Sequence, residues 1–129
     1  MKISTRGRYA LRVMIDLAIN NSQEYVSLKD IANRQEISMK YLEQIVSILN
    51  KDGFVNSARG NAGGYKLAKK PEEYKVGDIL RAAEGDLSPT DCITEDCVRK
   101  QDCKTFSFWK GLDEVIEKYV DSRTLKDLM

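Results

Sequence analysis

The chain has 129 residues, 42% of them apolar, which is enough for one domain with a modest core. No apolar run approaches the ~18 residues of a membrane span and no charged-then-apolar leader opens the chain, so the expectation is a cytoplasmic protein with no membrane partner. It has no histidine and 3 cysteines, which removes histidine acid–base chemistry and argues against a closed disulfide framework.

The net charge of +1 conceals an asymmetry. Residues 1–70 carry 12 Lys and Arg against 6 Asp and Glu, a net of +6. Residues 71–129 carry 9 against 14, a net of −5. A basic first half suits a polyanionic partner, although mixed surface charge is also ordinary.

In chain order, TRGRYALRVMIDLAIN (5–20) has a helical apolar pattern through Tyr9, Leu11, Val13, Met14, Leu17 and Ala18, with Thr5 as the expected cap. SLKDIANRQ (27–35) starts on Ser27 with Asp30 three residues on, a short-carboxylate form of the capping box, and Leu28, Ile31 and Ala32 make its apolar face. Ser38 is the expected cap of a third helix, MKYLEQIVSILNKDG (39–53), stopped by Gly53. Its Tyr41, Leu42, Ile45, Val46, Ile48 and Leu49 are expected to face inward. Lys40, Glu43, Gln44 and Ser47 share the opposite, polar face.

Two strand-like runs follow, FVNSAR (54–59) and GYKLAK (64–69), around the turn Gly60-Asn61-Ala62-Gly63. Gly and Asn are expected to supply the positive φ angles of that tip, and Pro71 to end the unit. VGDILRAAEG (76–85) reads as a short helix closed by Gly85. A cysteine-bearing loop comes next. TFSFWKGLDEVIEKYVDS (105–122) is then helical, with Phe108, Trp109, Leu112, Val115, Ile116, Tyr119 and Val120 at three- and four-residue steps. Thr124 is the expected cap of a last turn over 124–129. No internal repeat or low-complexity segment is present.

This order predicts a mainly α fold with a small β-hairpin wing: a winged helix-turn-helix over 1–75, a short helix and cysteine loop over 76–104, and a long C-terminal helix and turn over 105–129. The geometry suits double-stranded DNA, because a helix fits the major groove and its exposed residues near the N-terminus reach base edges. Gln44 matches adenine, Glu43 a cytosine amine, and Lys40 a guanine or a phosphate. Ser38 at the helix start suits a phosphate. Arg59 beside Gly60 suits a narrow minor groove. Ser38, Lys40, Tyr41, Glu43, Gln44, Arg59 and Gly60 are therefore the candidate DNA contacts. The 105–122 helix holds more large apolar side chains than one small domain covers, which predicts a homodimer and a pseudo-palindromic operator. Packing of that stripe on the chain's own first helix is the alternative. No phosphate-cradling glycine loop, dinucleotide fingerprint or catalytic set is present, so no enzyme is expected.

All three cysteines lie in CITEDCVRKQDC (92–103), spaced C-x4-C-x5-C. The short paired hooks usual in structural zinc sites are missing, and so is the fourth cysteine of ferredoxins. The spacing leaves iron–sulfur, zinc and thiol-redox readings open, as well as cysteines that hold nothing. Arg99, Lys100 and Lys104 favour thiolate in each.

The opening MKISTRGRYAL, the YLEQIVSIL helix, the wing RGNAGGYKLA and the cysteine trio before an aromatic-rich helix together resemble IscR-like iron–sulfur cluster regulators. These belong to a group of bacterial winged-helix repressors that also includes CymR and NsrR. The resemblance covers nearly the whole chain. It implies a homodimer on operator DNA, with recognition helix 39–52, wing arginine Arg59 and dimerisation helix 105–122. It implies Cys92, Cys97 and Cys103 as ligands of an iron–sulfur cluster, 2Fe–2S rather than 4Fe–4S, and repression of cluster-assembly genes. The alternatives are thiol redox state, nitric oxide or a protein partner of cysteine metabolism as the signal. Two departures stand out. The position of the relatives' histidine ligand is Phe106, and that of a first-helix carboxylate ligand is Arg8. The fourth ligand then falls to Asp91, Glu95, Asp96 or Asp102, less well to Thr94, Thr105 or Ser107, or to a water or small thiol.

Overall fold

The computed structural model describes residues 2–20 and 24–129. Met1 of the MKISTRGRYAL opening lies outside them. Helix α1 (Thr5–Ile19) runs through the middle of the molecule, followed by α2 (Leu28–Gln35) and α3 (Met39–Lys51). Strands β1 (Val55–Ala58) and β2 (Gly64–Leu67) pair antiparallel, with Val55 opposite Leu67 and Ala58 opposite Gly64. Helices α4 (Val76–Glu84), α5 (Asp91–Thr94) and α6 (Phe106–Asp121) complete the described elements, apart from 3-10 turns at Pro71–Glu73 and Lys126–Leu128.

The first helix is capped one residue earlier than the sequence pattern suggested. Ser4, not Thr5, accepts the Gly7 amide, at 3.3 Å, and the Thr5 hydroxyl instead accepts from Arg8 at 3.0 Å. Ser27 and Ser38 cap as expected, accepting the amides of Asp30 and Tyr41 at 3.2 Å each. The third helix ends at Lys51, two residues before Gly53. Gly53, at φ 77°, then lets the amides of Gly53 and Phe54 turn back to the carbonyls of Asn50 and Leu49, a Schellman closure. The turn between α2 and α3 uses Glu36 in the left-handed region, at φ 54°, and places Ile37 in the core.

The wing is built less symmetrically than expected. Gly60 and Gly64 have positive φ (100° and 146°), whereas Asn61 does not. Gly64 is required by more than its φ: an added Cβ would strike the Val26 carbonyl, because Val26 and Tyr65 exchange two backbone hydrogen bonds of 2.8 Å. The hairpin is thereby tied to the segment just before α2. At its base the Tyr74 hydroxyl donates to the Phe54 carbonyl at 2.7 Å and accepts from the Lys69 amide at 2.8 Å. Burial raises the Tyr74 phenol above its ordinary pKa. Pro71 does not simply end the wing; it starts a 3-10 turn leading to Tyr74.

The main core joins Val13, Met14 and Leu17 of α1 to Ile31, Leu42, Ile45, Leu49, Val55 and Ile79. The C-terminal turn returns to it. The Leu125 side chain is fully buried in the core, its amide donates to the Tyr74 carbonyl at 3.0 Å, and the Val76 amide donates to Arg123 at 2.9 Å. Thr124 caps this turn reciprocally with Asp127, as the sequence suggested. Helix α6 lies on α4, with Ile116 and Val120 packed on Val76, Leu80 and Leu87. Arg81 pins the pair, reaching Asp78 at 3.0 Å, both oxygens of Asp121 at 2.8 Å, and Glu117. Gly77 makes this close approach possible, since a Cβ there would meet the Asp121 carboxylate and Val120.

Candidate nucleic-acid interface

Periodicity divides α3 into two faces. Leu42, Ile45, Val46 and Leu49 are buried, and Lys40, Glu43, Gln44 and Ser47 are exposed in one stripe. Ile48, expected inside, is half-buried. Ser38 is exposed, and its oxygen is already used in the cap. Tyr41 is half-buried with its ring edge-on to Tyr9, centroids 5.9 Å apart, so part of that side chain is committed to packing. Arg59 and Gly60 are exposed at the wing shoulder, and Arg59 enters no ion pair among the described residues.

One determinant of this surface escaped the sequence reading. Asp16 sits in the apolar face of α1 and is 3% exposed. Arg34 of α2 grips it with two bonds of 3.0 and 2.8 Å, and the Gln35 amide adds a third at 2.9 Å. The partnership raises the Arg34 pKa above its ordinary value, through the hydrogen bond to Asp16 against the cost of burial. Gln35 also accepts from Arg12 of α1 at 3.1 Å. A buried carboxylate requires such partners, and these fix the angle of α2 on α1, and with it the stage on which α3 is presented. The available signal was an aspartate at a position where the helical period demands an apolar residue.

The cysteine loop is organised differently. Its start is a short helix, α5, which the sequence pattern did not indicate; it carries Cys92, which is half-buried. Cys97 and Cys103 are exposed. Cys92 and Cys97 border one hollow with Asp91, Glu95 and Asp96, whereas Cys103 borders another with Asp102, Arg99 and Lys104. Among the described residues no three Cys, Asp or Glu side chains stand together as a metal site. The donors therefore fit soft iron in kind, three accessible sulfurs on one loop, while the loop in this conformation holds them apart. Thr90 Oγ1, at the start of α5, and Asp113 Oδ1, within α6, are buried without a hydrogen-bond partner among the described residues. Thr105, one of the weaker ligand candidates, has its hydroxyl 3.2 Å from the Cys103 sulfur. That contact, with the Thr105 and Phe106 amides and the Arg99 charge, holds the Cys103 thiol below its ordinary pKa. Thr94 and Ser107 are exposed, and Phe106 stacks under Lys100 at 5.0 Å. Arg8 is exposed on α1 beside Thr5.

Helix α6 leaves Phe108, Val115 and Tyr119 exposed at 64, 64 and 61%. Its other edge is the one covered by α4. Among the described residues no helix is long and apolar enough to cross a membrane.

A three-helix unit with a capped, polar-faced third helix and a hairpin wing defines a winged helix-turn-helix regulator of transcription. The family model for Rrf2, an iron-dependent transcriptional regulator, matches residues 3–129, and the chain belongs to that family. It is 41% identical to protein rrf2 of Nitratidesulfovibrio vulgaris, over 100% of this chain and 87% of that protein. The solved structure of CymR, the global cysteine regulator of B. subtilis, superposes with a TM-score of 0.82 at 41% identity, covering 99% of this chain and 95% of that one. The structure of T. potens IscR gives a TM-score of 0.78 at 42% identity, covering 99% and 85%. The protein is thus a DNA-binding transcriptional regulator like IscR and CymR, and not an enzyme.

Proposed function

We propose that the protein is a homodimeric repressor of iron–sulfur cluster assembly genes that reads double-stranded operator DNA and senses cluster status through Cys92, Cys97 and Cys103. One observation carries this reading. The loop bearing all three thiols runs through Cys103, Thr105 and Phe106 directly into α6, whose outer apolar stripe none of the described residues covers. A second copy of α6 is the self-complementary cover for that stripe. The three thiolates would hold the cluster, and Asp91, Glu95 or Asp96, which share a hollow with two of them, are better placed as fourth ligand than Asp102. When bound, a 2Fe–2S cluster supplies a centre sensitive to iron supply and oxidation. Gathering the three sulfurs orders the loop, and the loop fixes the start of α6, where Phe108 and Trp109 meet edge-on at 5.0 Å. Arg81 then passes any shift of α6 to α4, which packs on α1.

On the DNA side, Gln44, Glu43 and Lys40 read bases, while Ser38 and Tyr41 meet the backbone. Arg59 with Gly60 enters the minor groove. Replacing Gln44 by Ala should relax preference at one base position by about 1–3 kcal/mol. Arg59→Ala should weaken binding most at A·T-rich flanks. Anaerobic reconstitution followed by DNA titration tests the whole reading. Visible cluster absorbance and a loss of cluster-dependent DNA affinity in Cys92→Ala are expected. Reconstituted protein without such absorbance, or affinity indifferent to Cys92→Ala, overturns the sensing role.

A second reading is favoured by the Cys103 environment: a thiol switch of the same fold, since Thr105 already stabilises the thiolate. Peroxide or an alkylating agent changing the DNA affinity of iron-free protein would select it.

A further inference from the structure

The basic start of α1 has no task in the scheme above. Residues 2–15 contain Lys2, Arg6, Arg8 and Arg12, and the first acid is Asp16. Arg12 is occupied with Gln35 and the Tyr9 ring, and Arg8 with Thr5. Arg6 is exposed and makes no hydrogen bond or ion pair among the described residues. It borders an open hollow together with Ser4, Thr5, Tyr41 and Gln44. A cation from a different helix therefore stands beside the polar face of α3.

The backbone that carries that cation is held from behind. Glu84, at the end of α4, accepts from the Ser4 amide at 3.0 Å and the Ser4 hydroxyl at 2.5 Å. Gly7 is what lets the carboxylate in, because a Cβ at that position would collide with it. The start of α1 is thus a clamped element, and ordering it on binding costs little further entropy. A helix that inserts into the major groove brings phosphates to both rims, and a side chain flanking its base-reading residue meets one of them.

We propose that Arg6, with Thr5 beside it, is a third DNA contact that takes a backbone phosphate at the rim of the groove α3 enters, and that Glu84 is the positioning residue that holds it there. This rests on the reading of α3 as recognition helix, and the test separates the two.

The test is an anisotropy titration over a range of salt. One duplex is selected by the wild-type protein from a random pool, and a second of equal length has random sequence. Arg6→Ala should weaken binding to both by a similar factor, roughly tenfold at low salt. It should also reduce the slope of log K against log salt by about one per protomer bound. Arg6→Lys should restore most of that slope. Gln44→Ala should instead reduce the preference for the selected duplex, through one base position, and leave the slope alone. Glu84→Ala should reproduce part of the slope change, Glu84→Gln should recover it by keeping the acceptor for Ser4, and Arg6→Ala/Glu84→Ala should have the slope of Arg6→Ala. An unchanged slope in Arg6→Ala, with Gln44→Ala still reducing preference, overturns the phosphate contact while the recognition helix stands. An effect of Arg6→Ala with none from Gln44→Ala overturns its placement beside a recognition helix. A Glu84→Ala effect that adds fully to that of Arg6→Ala overturns the positioning role.

Discussion

The helix-turn-helix half and the cysteine loop both present polar groups to solvent, but their backing differs. Behind α3 lies the main core, and its neighbour α2 is locked to α1 through Asp16, Arg34 and Gln35. The cysteine loop has one four-residue helix and two exposed thiols. On the proposed function, the difference fits the two partners: a surface that matches a fixed duplex is best held rigid before binding, whereas a loop that gathers around a small ligand gains from being less braced until the ligand arrives. The two halves meet through α4, which touches α1 by Glu84 and α6 by Arg81.

The contrast is open to direct attack. The largest effect is expected from Val115→Arg, which puts a charge in the exposed stripe of α6. It should cost at least about 2 kcal/mol of self-association and far more than tenfold in operator affinity, with folding intact. Sedimentation and circular dichroism check this, and an unchanged dimer would assign the stripe another role. Asp16→Ala attacks the rigid half instead. Arg34 is 39% exposed and can turn to water once its partner is lost, so the cost should fall near 2 kcal/mol rather than at the upper end for buried pairs. Urea unfolding measures it, and a loss below about 0.5 kcal/mol would show that the network does not brace the helix-turn-helix.

On the adaptable side, a lowered Cys103 pKa means that its thiolate survives to lower pH than that of an ordinary cysteine. In a Cys92→Ser/Cys97→Ser protein, the rate of iodoacetamide labelling should rise at correspondingly lower pH. Thr105→Val should move the profile upward and slow labelling a few-fold near neutrality. Coincident profiles would remove the role given to Thr105. The smallest effect should come from Glu36→Gly, which relieves a left-handed glutamate. It should stabilise the fold by about 0.5–1 kcal/mol with DNA affinity unchanged. Destabilisation would mean that the Glu36 side chain has a function beyond the turn.

Much of this architecture was decided within a few residues of chain. Ser27 and Ser38 cap because the amide each satisfies is three positions on, Gly53 and Gly85 close helices through their own φ, and the polar face of α3 follows from the helical period alone. The cysteine spacing and the motifs of the opening, the third helix and the wing were likewise enough to place the chain among IscR-like regulators. Where two local solutions competed, a distant partner chose. Ser4 rather than Thr5 became the cap while Glu84, 80 positions away, took its amide and hydroxyl. Gly64 rather than Asn61 took the positive φ where Val26 leaves no room for a Cβ. No local rule could foresee that Arg34 would be the partner of the buried Asp16, that Leu125 would return to the core, or that the thiols would divide between two hollows. Caps and periods are set by neighbours along the chain. Burial, ion pairing and the gathering of ligands depend on which segments the fold brings together, and that only the packed structure decides.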